Sequence, residues 1–247
     1  MKQFCVTVSM AKRLIGKGMA ALPEIQEVLQ KGTLVILGGT TNGYVAEEIL
    51  ASIGQAEGFS RVGFRRGMTV AHGAKPVQAD LEGDVIIRDG EYVRGKTIFD
   101  VVDDLKPGDM IVKGANAFDP VGKPAVLIGH PQGGTIMSAL TAVIGRRVRL
   151  IMPVGLEKRV MEDMDELAAW ANAPDASGPR LFPVPGEIFT ELEAIQLLTG
   201  AEAVLLAAGG VYGAEGADWL GVRGSKEEEE AAAALIRSVR DEPPTEV

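Results

Sequence analysis

Residues 33–50 read TLVILGGTTNGYVAEEIL. Thr33 to Leu37 is an apolar run, Gly38-Gly39-Thr40-Thr41-Asn42-Gly43 is small and polar, and Tyr44 to Leu50 is again largely apolar. That order predicts a buried strand from Thr33 to Gly39, a tight turn, and a helix from Thr41 to Ser52. Glycines in such a turn let backbone N–H groups approach a ligand closely, and the helix behind it offers unpaired N–H groups and a partial positive charge. Gly38, Gly39, Thr40, Thr41, Asn42 and Gly43 therefore read as an anion or phosphate site. The plainer alternative is a strand-to-helix turn with Thr as N-cap. No Lys-Ser or Lys-Thr closes the stretch, so it is not a Walker A loop, and it lacks the full dinucleotide fingerprint.

The same alternation recurs outward from this stretch. Strands are expected at Phe4–Val8, Asp109–Lys113, Ala125–Gly129 and Val148–Val154, and helices at Ala11–Leu29, Lys96–Leu105 and Gly134–Ile144. The first of these helices is interrupted near Gly16, Gly18 and Pro23. Asp84 to Val93 reads as a hairpin around Asp89-Gly90, and Val62–Val70 as extended. Near-continuous Val, Ile and Leu in strands separated by helices predicts an α/β fold. Its sheet is expected to be Rossmann-like and mostly parallel, with helices on both faces. A small, polar and proline-containing run, Ala171 to Pro179, reads as a linker. The expected division is residues 1–174 as the parallel-sheet domain and 180–247 as a small β-α-β-β-α module of ferredoxin-like type. In that module Glu187–Leu198 is read as helical, and Ser225 with Glu228 as a capping box.

Three more turns follow predicted strands: Lys113 to Asp119, Gly129 to Thr135, and Pro153 to Lys158. In an open parallel sheet, ligands sit beyond the carboxyl ends of the strands, so all four turns are expected around one crevice. Lys113, Asn116, His130, Gln132, Gly133, Gly134, Thr135 and Lys158 are the ligand-binding candidates beside the first turn. Asp119 and Glu157 are the candidate proton-transfer groups. Asp119 has a turn-capping alternative before Pro120, and Glu157 the alternative of beginning a surface helix that runs to Ala169. His130 reads equally well as a ligand or acid–base group and as a surface turn residue. His72 reads as structural. In the Gly209–Gly216 stretch, Tyr212 and Glu215 either reach a ligand or belong to a plain hairpin loop.

The chain has 247 residues, 46% hydrophobic and 24% charged, enough to bury a full core. Its net charge of -9, with scattered basic residues, argues against a duplex nucleic-acid partner. The single cysteine, Cys5, allows no disulfide framework within the chain and reads as a packed thiol, with a nucleophile as the alternative. Two isolated histidines and one cysteine give no metal site. The N-terminus does not read as a signal peptide, and no apolar run reaches a membrane-spanning length, so a cytoplasmic protein without a membrane partner is expected.

Together, KGTLVILGGTTNGYVAEEIL, GDMIVKGANAFDPVGKPAVLIGHPQGGTIMSAL and RVRLIMPVG, within residues 30 to 156, resemble the ribose-5-phosphate isomerase/CoA transferase-like superfamily. The resemblance implies a sheet whose loops bind sugar phosphates, CoA esters or nucleotides. Gly38 to Gly43 would hold phosphate, and Gly133-Gly134-Thr135 would form a second anion loop. Asn116 would stand where sugar-phosphate isomerases of this type carry an acid, and an amide is no general base. The expected function is binding of a phosphorylated or CoA-linked small metabolite by a homo-oligomer, with isomerisation or group transfer as its chemistry. The alternative is a non-catalytic metabolite-binding or sensor protein.

Overall fold

The computed structural model describes residues 1–66 and 83–244. His72 and the end of the stretch read as extended up to Val70 lie outside the described residues. In chain order the first elements are β1 (Lys2–Val6), α1 (Val8–Ala21), α2 (Pro23–Gln30), β2 (Thr33–Ile36), α3 (Thr40–Ser52), β3 (Val85–Arg88), β4 (Glu91–Tyr92) and α4 (Ile98–Val101). They are followed by β5 (Met110–Val112), β6 (Ala117–Phe118), β7 (Pro124–Ile128), α5 (Gly134–Arg146), β8 (Arg149–Pro153) and α6 (Met164–Ala171). The last are β9 (Arg180–Pro183), β10 (Glu187–Phe189), α7 (Glu191–Thr199), β11 (Glu202–Ala208), β12 (Asp218–Arg223) and α8 (Lys226–Ser238). No helix among the described residues is long and apolar enough to cross a membrane.

The fold is α/β around a mixed, mostly parallel sheet of order β10-β8-β5-β2-β3-β4. β10, β8, β5 and β2 run parallel, and β3 and β4 extend the sheet antiparallel. β2 and β5 are buried along their whole length, which is why their sequences are continuous apolar runs rather than alternating ones. The β3–β4 hairpin turns at Asp89 and Gly90, both with positive φ (48° and 82°), as the Asp-Gly pair requires.

The strands beyond residue 180 do not pair into one sheet, as the expected β-α-β-β-α module would. β9 pairs with β7 in a β6-β7-β9 sheet, β10 extends the central sheet, and β11 and β12 pair with β1 from the N-terminus. Glu187–Phe189, read as the start of a helix, is strand. Its backbone pairs along β8, and the helix begins only after Thr190, whose hydroxyl accepts from Leu192 N at 3.1 Å. Glu157 likewise does not open a long helix: Leu156–Lys158 is a single 3-10 turn, and α6 starts afresh behind the Asp163 cap. Cys5 is exposed, because the period of β1 turns Val6 inward and Cys5 outward.

Gly16 and Gly18 do not interrupt α1. A Cβ on Gly16 would lie 2.8 Å from Tyr44 O, and one on Gly18 would lie 2.7 Å from Ala194 Cβ. Glycine is needed there for space, so that α1 can seat closely on α3 and α7. Gly18→Val is therefore expected to lower stability by about 1–3 kcal/mol through overpacking. Urea denaturation reads the effect; a variant as stable as the wild type would show that α1 and α7 are not in tight contact. Behind the first turn, Tyr44 is fully buried between the guanidinium groups of Arg13 and Arg61, 4.7 and 4.5 Å from its ring centroid. Arg13 also binds Glu47, Glu48 and Glu242 at 2.8, 2.9 and 2.9 Å, which joins α1, α3 and the C-terminal segment behind the site.

Candidate functional site

Parallel pairing carries the carboxyl ends of β2, β5, β8 and β10 to one edge of the central sheet. The residues that follow those ends are Leu37 to Asn42, Lys113-Gly114, Val154 to Lys158, and Thr190-Glu191. Three of the four expected turns thus stand side by side. The Gly129–Thr135 turn does not join them, because it follows β7, which belongs to the antiparallel β6-β7-β9 sheet.

The first turn is held from beneath. Asp84, almost wholly buried, accepts from Gly38 N and Ile98 N at 2.9 Å each, and from Arg66 Nη2 at 3.0 Å. Asn42 donates from Nδ2 to Leu37 O (2.6 Å) and Val112 O (3.2 Å), stitching the end of β2 to the end of β5. Gly39, the N-cap of α3, provides no side-chain cap, and Thr is not the cap. The first-turn amides of α3 therefore keep the orphan character that favours an anion. Gly38 N is not among them, since Asp84 takes it. Thr41 Oγ1 and Asn42 Oδ1 are buried with no hydrogen-bond partner among the described residues.

Charged side chains gather beside this turn. Lys158 Nζ lies 4.0 Å from Glu157 Oε1. Glu157, Glu191 and Asp218 each place a carboxylate oxygen within 4.8 Å of the others. Glu191 is completely buried at the start of α7, and its two oxygens accept from Leu156 N at 3.2 and 3.3 Å. Burial pushes its acid well above the usual carboxylate range, reinforced by the charges of Glu157 and Asp218. Asp218, at the start of β12, is pushed up to about 6 by burial and by Glu157. Two lysines move the other way. Lys113 falls to about 8 through burial, opposed by Asp84 and aided by Arg66 and Lys158. Lys12 on α1 falls to about 8 through burial and the neighbouring charge of Lys158. Acids raised and amines lowered toward neutrality in one place make a group suited to proton transfer and anion binding.

Gly155 is a spatial requirement of this group. An added Cβ would lie 1.9 Å from Glu157 Oε2, so only glycine lets the Glu157 carboxylate fold back over its own loop.

Several expected site residues are occupied elsewhere. Asp119 is buried, with Oδ1 accepting from Val121 N (3.0 Å) and Lys123 N (2.9 Å) and Oδ2 from Met164 N (3.3 Å). Its carboxylate organises the β6–β7 hairpin and the entry to α6, the turn-capping alternative. Asn116 is exposed and accepts from Leu127 N at 2.9 Å across the same hairpin. His130 is an exposed turn residue whose Nδ1 accepts from Gln132 N at 3.1 Å and whose carbonyl accepts from Arg180. Gln132 and Gly133 line a shallow depression with Arg180 and Phe182, and Gly134 and Thr135 open α5 behind them. Glu215 accepts from Gly213 N inside its own loop, and Tyr212 is fully exposed.

Lys12, Asp84, Glu191 and Asp218 were not legible as site residues. Each sits in an otherwise ordinary helix, hairpin or strand pattern. The one local signal was Asp84 at the head of the hairpin, an acid immediately before a fully apolar Val85-Ile86-Ile87 run. No family model matches the chain, and no curated protein or solved structure matches it.

Proposed function

We propose that the crevice at the carboxyl ends of β2, β5, β8 and β10 binds a phosphorylated or CoA-linked small metabolite and acts on it as an enzyme, by isomerisation or group transfer. The observation that carries this reading is the gathering of Lys12, Lys113 and Lys158 with Glu157, Glu191 and Asp218 beside a glycine turn whose helix has no side-chain cap. In this reading the parallel strands act as a Rossmann-like platform. The likeness of residues 30 to 156 to the ribose-5-phosphate isomerase/CoA transferase-like superfamily supplies the ligand class.

The roles follow from charge and pairing. The α3 amides and the ammonium groups of Lys113 and Lys158 hold the phosphate. Glu157 is the acid–base group, because it alone of the three clustered carboxylates is partly exposed, with Lys158 facing its Oε1. Asp119 has no part in the chemistry of this reading. A homo-oligomer is supported by the outer face of the β1-β12-β11 sheet, where Val204, Leu206 and Trp219 are exposed.

The test is calorimetric titration with inorganic phosphate, sugar phosphates and CoA, followed by a turnover screen on the same compounds. Lys158→Ala is expected to weaken phosphate binding at least about tenfold, the equivalent of ~1.4 kcal/mol. Glu157→Gln is expected to keep binding and lose about 100-fold or more in kcat. Unchanged binding in Lys158→Ala would overturn the site. Tight binding with no turnover of any compound by the wild type would instead favour a binding or sensor protein.

A further inference from the structure

We propose that Glu157, Glu191 and Asp218 form a binding site for one hard divalent cation of the Mg²⁺ or Mn²⁺ type. The three residues come from three separate parts of the fold: the loop after β8, the start of α7 and the start of β12. One oxygen of each lies within 4.8 Å of the others, so a modest side-chain closure brings all three onto one cation at metal–oxygen distances of about 2.0–2.2 Å. The donors are all carboxylate oxygens, which suits Mg²⁺, Mn²⁺ or Ca²⁺ rather than the softer metals.

What separates this group from an ordinary acidic patch is its pairing. Asp218 is 2% exposed, and its Oδ2 is buried with no hydrogen-bond partner among the described residues. Glu157 Oε2 is in the same state, although Oε1 of the same carboxylate faces Lys158. A buried carboxylate oxygen left unpaired is costly, because folding strips its water and supplies no replacement. A cation inside the cluster would give both of these oxygens a partner. The glycine at 155 serves the same geometry, since any side chain there would push Glu157 out of it.

Three protein oxygens leave about half of a six-coordinate shell for water and for phosphate oxygens, the usual arrangement for Mg²⁺ beside a phosphorylated substrate. That role in catalysis rests on the phosphate reading above; binding of the cation itself does not.

The experiment is a Mn²⁺ titration of the chelator-treated full chain, followed by electron paramagnetic resonance of free Mn²⁺. The wild type is expected to take up one Mn²⁺ per chain. Glu157→Gln and Asp218→Asn are each expected to weaken uptake at least about tenfold, while Glu227→Gln, on the solvated first turn of α8, leaves it unchanged. Circular dichroism checks that each variant is folded. Should Asp218→Asn fail to fold, Glu157→Gln decides, since the Glu157 side chain is partly exposed. No uptake by the wild type, or equal uptake by wild type and variants, would overturn the inference. Inorganic phosphate binding, measured without Mn²⁺, separates the two proposals: phosphate bound but Mn²⁺ refused sinks the cation alone, and Mn²⁺ bound but phosphate refused sinks the phosphate reading alone.

Discussion

Replacing Asp84 by alanine is expected to cost about 2–4 kcal/mol of stability and to loosen the first turn of the site. The side chain of Asp84 is completely buried, and Arg66 pairs with it at 3.0 Å. The carboxylate also takes the amides of Gly38 and Ile98, so one group joins the end of β2 to the start of α4. Removing it leaves the buried amides of Gly38 and Ile98 without their acceptor, which is the expensive part, and leaves the Arg66 guanidinium, 29% exposed, to find water. Urea denaturation at pH 7 measures the loss. A cost below about 1 kcal/mol, the range of a solvated surface pair, would show that Arg66 and the amides find water instead. Phosphate titration of the same variant reads the second effect. Because Gly38 N is held by Asp84, the α3 amides lose their fixed direction, and the affinity for phosphate should fall with the stability.

Lys113→Met is expected to do the reverse to stability and the same to binding. Burial pushes the Lys113 amine from an ordinary 10.5 to about 8. Between pH 8 and 10.5 the unfolded chain therefore holds a proton that the folded chain has released, and stability rises with pH across that window. Below pH 8 the lysine is charged in both states, and the folded chain carries the whole penalty of burying it. Methionine fills a similar volume with no charge. The variant should be more stable than the wild type at pH 7, on the order of 1–3 kcal/mol, with the advantage shrinking to nothing near pH 10.5. Phosphate binding by the wild type should weaken as pH rises through about 8, as the ammonium is lost, whereas the variant should bind weakly at every pH. A variant less stable than the wild type at pH 7 would show that Lys113 is held by its neighbours rather than strained by burial. Methionine at 113 binding phosphate as tightly as lysine would remove it from the site.

The helix and strand pattern of residues 33–52 was legible because it is local. An apolar run, two glycines and a helical repeat specify β2, the turn and α3 without help from distant residues. The Asp89-Gly90 hairpin and the Ser225–Glu228 capping box are equally local, and both are present. Lys113, Glu157 and Lys158 were legible as candidates because they directly follow strands that run parallel. Asp119 and Asn116 misled for the same reason: they also follow a strand. Only the pairing of β6 with β7 shows that their side chains are used up in a hairpin.

The sequence by itself determined that β2, β5 and β8 are buried strands and that a glycine turn opens α3, because burial on both faces demands continuous apolar runs and a tight turn demands glycine. Only the tertiary structure decided what stands beside that turn. Glu191 comes to the sheet edge because β10 adds to β8, and Asp218 comes there because β12 pairs with β1 while α7 packs on α1. These are pairings between residues as far apart as Lys2 and Val222, fixed by sheet edges and helix faces, and no local periodicity records which edge a short strand such as Glu187–Phe189 will choose. The perturbed charges of Lys12, Lys113, Glu191 and Asp218 follow from the same cause. Their burial is a property of the assembled core, so this cluster of charges exists only once the strands have met.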